Sequence, residues 1–167
     1  IRNTKNGNFK DISGVVTSWV GDVTITTAGG GAEKINVTNT QGSVNSTVTQ
    51  ATDDTGTDID ILNTVVDVTI DTKDTTDGNF NVIATDGSVT ITSGNGPHLI
   101  NINMTGVDVT VEADVSGDDI VDITVFGTRG DVEVTTGDGY DEIDIDQTDG
   151  DQIITCAGGN DTIYIRS

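Results

Sequence analysis

Apolar and polar residues alternate along most of this chain, in short runs that recur about every twenty residues. Alternation with a period of two is typical of a β-strand with one buried face. The phrase Gly-Asp/Ser-Val opens segments at Gly21, Gly42, Gly87 and Gly130, and variants of it open three more. The seven segments begin near residues 21, 42, 66, 87, 106, 130 and 150. Each segment holds two alternating runs, so the pattern predicts repeated units of two strands.

Aligning the segments gives four apolar columns, two from each run. The columns of the first run are Val23, Val44, Val68, Val89, Val109, Val132, Gln152 and Ile25, Ser46, Ile70, Ile91, Val111, Val134, Ile154. The columns of the second run are Ile35, Ile59, Phe80, Ile100, Val121, Ile143, Ile163 and Val37, Ile61, Val82, Ile102, Ile123, Ile145, Ile165. We therefore predict an all-β fold, a right-handed parallel β-solenoid or β-roll of about seven two-stranded coils.

The sequence patterns at the two ends of the chain predict different roles for these ends. Residues 1–20 fit the columns poorly, and Phe9 and Trp19 among them suggest an N-terminal cap on a solenoid of residues 21–167. At the other end, Ile163 and Ile165 belong to a strand that no capping segment follows. An uncovered coil offers unpaired backbone groups and apolar side chains. We expect self-association through these two isoleucines, or an adjacent repeat stacked on the C-terminal coil.

A column of threonines precedes the Gly-Asp turns. Its members are Thr40, Thr64, Thr85, Thr105, Thr128 and Thr148. We interpret them as a corner ladder whose hydroxyl groups bond the backbone of the turns. Asn39 and Asn63 precede the first two threonines and predict a short inward asparagine stack.

The net charge of the chain argues against two classes of binding partner. The chain has 7 basic and 28 acidic residues, a net charge of −21. This balance argues against nucleic acids and anionic membranes, which both require a basic face. No run of about 18 apolar residues is present, so no membrane span is expected. The excess of carboxylates points instead to a solvated surface, a high-salt habitat or the binding of divalent cations.

Two turns near the C-terminus share one pattern of glycine and aspartate. They read Gly137-Asp138-Gly139-Tyr140-Asp141 and Ala157-Gly158-Gly159-Asn160-Asp161. Glycine permits positive φ and lets turn carbonyl groups point into a shared gap. Stacked aspartates with carbonyl oxygens form an oxygen-rich set, which favours calcium over zinc or copper. The plainer interpretation, that Gly and Asp simply make tight corners, stays open.

This pattern resembles the repeat-in-toxin family, whose Gly-Gly-x-Gly-x-Asp-x-apolar-x nonapeptides form calcium-binding β-rolls. The resemblance is good over 136–144 and 156–164, moderate over 28–37 and 115–125, and weak elsewhere. It implies calcium ligands at Asp141 and Asp161, with Asp119 next and Asp138 assisting. Family members usually carry the glycine turn on both edges, whereas the other edge here reads Thr-x-Gly-Asp-Val.

No catalytic constellation stands out. His98 is the only histidine and Cys156 the only cysteine, and we interpret them as a surface turn residue and a structural one. The coils are short and lack the long loops that build a substrate cleft, so no enzyme activity is expected. Ice binding needs a regular Thr-x-Thr face. Thr24-Ile25-Thr26 and Thr90-Ile91-Thr92 match this pattern, but charged residues occupy equivalent positions in other coils.

These patterns together favour an extracellular or cell-surface structural protein. The expected function is a calcium-stabilised subunit of a surface layer or self-assembling filament. The alternative is a spacer or binding module of a larger secreted adhesin, toxin or polysaccharide-modifying enzyme, with ice binding as a minor third interpretation. A self-assembling subunit should stack head to tail, because a non-closing contact generates open fibres.

Overall fold

The computed structural model describes residues 8–10, 14–19, 21–29, 33–50, 56–73, 77–113 and 119–166. These residues contain strands and turns and no helix, so none of them forms a helix that could cross a membrane. The strands are β1 (Asn8–Lys10), β2 (Gly14–Trp19), β3 (Val23–Gly29), β4 (Glu33–Thr40), β5 (Val44–Gln50), β6 (Thr57–Thr64), β7 (Val68–Thr72), β8 (Gly78–Thr85), β9 (Val89–Ser93), β10 (His98–Thr105), β11 (Val109–Ala113), β12 (Val121–Phe126), β13 (Val132–Thr136), β14 (Glu142–Asp146), β15 (Gln152–Cys156) and β16 (Thr162–Arg166).

Successive strands alternate between two sheets. The odd-numbered strands form one sheet in the order β1-β3-β5-β7-β9-β11-β13-β15, called here the odd sheet. The even-numbered strands form the other, the even sheet, in the matching order from β2 to β16. Neighbouring strands are parallel throughout, which confirms the predicted all-β parallel solenoid. Seven coils run from β3–β4 to β15–β16, and β1 and β2, from the predicted cap, add one strand to each sheet.

The core lies between the two sheets, and most of its residues belong to the predicted columns. Val23 pairs with Val44, and the ladder of equivalent residues continues through Val132 to Gln152. Core side chains such as Val68 and Ile91 are fully buried. Each coil contributes few apolar side chains alone, so the hydrophobic stabilisation depends on stacking with the neighbouring coils.

The predicted alignment of the fifth coil is wrong by two residues. Ile123, rather than Val121, pairs with Ile100 and Ile143, and Val125 occupies the next position. A slip of two residues keeps every side chain on its predicted face, because the side-chain period of a strand is two. Apolar patterning therefore left this register undetermined.

The corner after each even strand repeats one backbone conformation. The residue before each threonine of the ladder has positive φ; these are Asn39, Asn63, Ala84, Met104, Gly127 and Gln147. The threonines that follow are buried, Thr105 donates to Thr128 at 2.9 Å, and Thr85 donates to the Val66 carbonyl at 3.0 Å. The predicted threonine ladder is present. The asparagine stack forms through Asn63 Nδ2 and Asn39 Oδ1 at 3.2 Å, but both side chains are exposed, so the inward orientation was wrong.

Candidate metal site and terminal coil

The turn from an odd strand to the next even strand, called here the glycine turn, is closely stacked in the last two coils. Gly139 and Gly159 face each other as a β-bridge, and Gly139 N–H donates to the Gly158 carbonyl at 2.9 Å. A Cβ on Gly159 would lie 1.6 Å from the Gly139 carbonyl oxygen, and the φ of Gly159 is +122°. Only glycine fits there, so the glycines predicted for cation binding are first required by backbone stacking.

Asp141 and Asp161 stack directly at the start of the even strands. Asp141 Oδ1 accepts a hydrogen bond from the Val121 N–H at 3.3 Å. Asp161 Oδ1 accepts one from the Asp141 N–H at 3.3 Å. Each carboxylate therefore bonds the backbone of the preceding coil through one oxygen, which leaves the other oxygen for a further partner.

The second oxygen of Asp141 is buried without a partner. Asp141 is 2% exposed, and neither its Oδ2 nor the Thr136 hydroxyl forms a hydrogen bond among the described residues. Burial is the main cause that raises the pKa of Asp141, and the Asp161 charge raises it further. The nearby Thr136 hydroxyl and the Val121 N–H oppose this rise. Cys156, on β15, is half-buried and lies beside Thr136 of β13. Burial raises the pKa of the Cys156 thiol.

These two carboxylates meet the chemical requirement for a hard cation only in part. They supply stacked carboxylate oxygens, one of which has no partner among the described residues. In the described ranges no three His, Cys, Asp or Glu side chains come together in a group that could hold a metal. Any calcium here would therefore complete its shell with backbone oxygens and water, as calcium readily does.

The other two predicted ligands lie apart from this pair in the stacking pattern. Val121 occupies the position above Asp141, so Asp119 falls in the register of Gly139. The Asp119 carbonyl accepts from Tyr140 N–H at 3.4 Å. The Asp138 side chain is exposed beside Gly158. Residues 114–118, which precede Asp119 in its turn, lie outside the described residues.

His98 is buried in the same column of the fourth coil, so its interpretation as a surface residue was wrong. It is 3% exposed and pairs with Gly78 and Val121 on the neighbouring strands. Its ring stacks on Phe80 with centroids 5.8 Å apart. His98 precedes the core residue Ile100 by two positions, and this period-two spacing was the signal for an inward side chain.

Aspartates also bond the backbone at the opposite edge of the coil, where sequence reasoning proposed no role for them. Asp22, Asp67, Asp108 and Asp131 each accept a hydrogen bond from the N–H of the equivalent residue in the next coil. The distances are 2.8–3.0 Å, and these carboxylates are partly or fully exposed. The signal was their constant place directly before the first core valine.

The last coil differs sharply in exposure from the coil that precedes it. Ile163 and Ile165 are 45% and 51% exposed, whereas their register partners Ile143 and Ile145 are fully buried. Arg166 pairs with Asp144, and its Nε lies 3.7 Å from Asp146 Oδ2. The core columns therefore reach the surface at β15 and β16.

Two cavities at the outer surface contain no pair of acidic side chains. A cavity of about 380 Å³ at the corner of the even strands contains Asp86 and Arg129, and one of about 360 Å³ contains Glu112 as its only acid. Glycoside hydrolysis usually needs two carboxylates that face each other. On the outer face of the odd sheet, Asp71, Glu112 and Glu133 interrupt the threonine array in the third, fifth and sixth coils.

Comparison of the chain with protein-family models, with curated proteins and with solved structures finds no match. The resemblance to the repeat-in-toxin family therefore rests on the turn motifs alone and stays a prediction.

Proposed function

We propose that this chain is a calcium-stabilised structural protein that acts outside the cell and stacks end to end into a filament or surface layer. The observation that carries the proposal is the exposed terminal coil. Ile163 and Ile165 continue two core columns but are about half exposed. Covering them with another coil extends the same parallel stack.

Stacking is favoured by apolar burial and by backbone pairing. Complete burial of one isoleucine side chain contributes about 1.5–3 kcal/mol relative to full exposure. β15 and β16 are the terminal strands of their sheets, so each has one edge that no described strand pairs. A second copy satisfies both requirements at once, and its strands repeat the same geometry.

Calcium supports this function at the glycine turns of the sixth and seventh coils. Asp141 and Asp161 would hold the ion, since their carboxylates are stacked and the Asp141 Oδ2 has no partner among the described residues. A bound calcium ion supplies the positive charge that relieves the repulsion between the two carboxylates. Asp119 and Asp138 are not required as ligands in this arrangement.

An extracellular location follows from this role of calcium. A net charge of −21 opposes compaction, and a ligand that binds only the folded state stabilises it by mass action. Extracellular calcium modules bind at about 10⁻⁴–10⁻³ M, so they are empty in the cytosol and filled after export.

Electron microscopy of negatively stained protein tests the assembly. We expect filaments or sheets with millimolar calcium, and their loss when Ile163 and Ile165 are both replaced by Asp. Ile153→Asp is the matched control, because Ile153 is 59% exposed in the same coil but lies between the core positions Gln152 and Ile154. Particles that remain single in every condition would rule out end-to-end stacking and favour a spacer module of a larger protein.

Calcium titration by calorimetry tests the metal site separately. We expect Asp141→Asn and Asp161→Asn to abolish or strongly weaken binding. Asp131→Asn should leave binding unchanged, since Asp131 is an exposed aspartate at the opposite edge. Equal weakening by all three substitutions would show a general charge effect instead of a site.

A further inference from the structure

Two polar groups face the interior of the fourth coil without partners. Ser93 ends β9 and His98 begins β10, with a four-residue glycine turn between them. Ser93 is fully buried and His98 is 3% exposed. The Ser93 hydroxyl oxygen and His98 Nδ1 have no hydrogen-bond partner within the described part of the chain. Buried polar groups in folded proteins are almost always bonded, to protein or to ordered water.

The tautomer of His98 follows from its other nitrogen. Nε2 lies 2.8 Å from the Gly94 carbonyl oxygen, which can only accept a hydrogen bond. Nε2 therefore carries the proton, and in the neutral ring Nδ1 is an acceptor. The group that satisfies Nδ1 must donate.

The two orphaned atoms belong to one small site. Ser93 ends its odd strand and His98 begins the next even strand, at the two ends of one four-residue turn. Both side chains are buried, so both enter the interior of the coil from the same turn.

A water molecule suits this set of groups. It donates to His98 Nδ1, and it exchanges a hydrogen bond with the Ser93 hydroxyl, which can donate or accept. A metal ion is disfavoured, since no group of three His, Cys, Asp or Glu side chains forms among the described residues. We propose that one ordered water molecule bridges Ser93 Oγ and His98 Nδ1 inside the fourth coil.

Nuclear magnetic resonance of ¹⁵N-labelled protein tests the site directly, because the chain has one histidine. We expect ¹⁵N shifts of the Nε2–H tautomer and a cross-peak between long-lived water and protons of Ser93 or His98. The Nδ1–H tautomer, or the absence of a water contact at Ser93 and His98, would overturn the proposal.

Unfolding equilibria of variants provide a second test. Ser93→Ala and His98→Phe, in which the phenyl ring retains stacking on Phe80, should each raise the unfolding equilibrium constant about tenfold, since each leaves a partner unsatisfied. The double variant should raise it far less than a hundredfold, because neither Ser93 Oγ nor His98 Nδ1 then remains to lose the shared water. The Gly94 carbonyl loses its donor in His98→Phe and in the double variant alike, so that loss cancels in the comparison. His98→Gln keeps a polar group at this position and serves if His98→Phe fails to fold. Independent, multiplying effects would contradict a shared water.

Discussion

The fourth and sixth coils place different chemistry at the same point of the fold. At the start of the even strand the fourth coil has His98 and the sixth has Asp141, and both side chains are buried. Each has a hydroxyl residue across the glycine turn, Ser93 and Thr136 respectively. Each also retains one atom without a partner among the described residues, His98 Nδ1 and Asp141 Oδ2.

The difference between these coils lies in charge. A histidine enters the core as a neutral ring, stacked on Phe80, and needs only a donor at Nδ1. A free aspartate is charged at neutral pH, and Asp141 lies over a second carboxylate, Asp161. One backbone position can therefore favour a neutral molecule in one coil and a cation in another, and the side chain decides which.

Placing the aspartate of the sixth coil at the equivalent position of the fourth coil should give the largest change in stability. His98→Asp places a carboxylate against Phe80, near the negative charges of Asp77 and Asp119. We expect a loss of about 3–5 kcal/mol in the free energy of unfolding at neutral pH, the cost of a buried uncompensated charge. Denaturant unfolding measures it, with His98→Asn as the uncharged control. A loss below about 1 kcal/mol would show that the site is solvated or holds a cation.

The pH dependence of stability should have opposite signs at the two positions. Burial lowers the pKa of His98 below its usual 6.5, against the opposing effects of the Gly94 and Gly78 carbonyls and of Asp77 and Asp119. As the pH falls through 6.5 the unfolded chain takes up the proton first, so stability is lost down to the folded pKa. Each unit of lowering costs about 1.4 kcal/mol.

Asp141 acts in the reverse direction. Its pKa is raised above the usual 3.8, so the folded state takes up the proton first and stability is gained as the pH falls from the folded pKa towards 3.8. Unfolding measured in chelator from pH 8 to pH 4 should show a loss that begins as the pH falls below 6.5 in the native chain and is absent in His98→Phe. An acid loss that persists in His98→Phe would assign it to other groups.

Sequence patterning predicted the fold because its determinants are local. Alternation specifies the faces of each strand, and the spacing of segments specifies the coil, so the core column from Val23 to Val132 could be predicted. It could not predict the register of the fifth coil, since Val121 and Ile123 are both apolar and differ by two positions. The displacement of Asp119 from the Asp141 column follows from that one ambiguity.

The burial of polar side chains was the second feature that was not predicted from the sequence. Proline and glycine beside His98 indicated a surface turn, although its two-residue spacing from Ile100 predicts the inward ring that the stacking of neighbouring coils shows. Asp141 and Asp131 likewise both sit in Gly-Asp turns, but one is 2% exposed and the other lies open to solvent. The spacing from the core columns separates them, since Asp141 precedes Ile143 by two residues and Asp131 precedes Val132 by one.

The smallest expected effects are changes in stability when Asp141 or Asp131 is replaced by Asn in the absence of calcium. The two replacements should differ. In chelator, Asp141→Asn should stabilise the protein by about 1 kcal/mol, because it removes a buried charge above Asp161 and keeps an oxygen that can accept from Val121 N–H. Asp131→Asn keeps an acceptor for Asp151 N–H at an exposed site and should change stability by less than about 0.5 kcal/mol. Thermal unfolding of both variants beside the native chain measures the difference. If Asp141→Asn destabilises the protein in chelator, the Asp141 carboxylate already has a partner that stabilises its charge, and calcium is not needed to balance it.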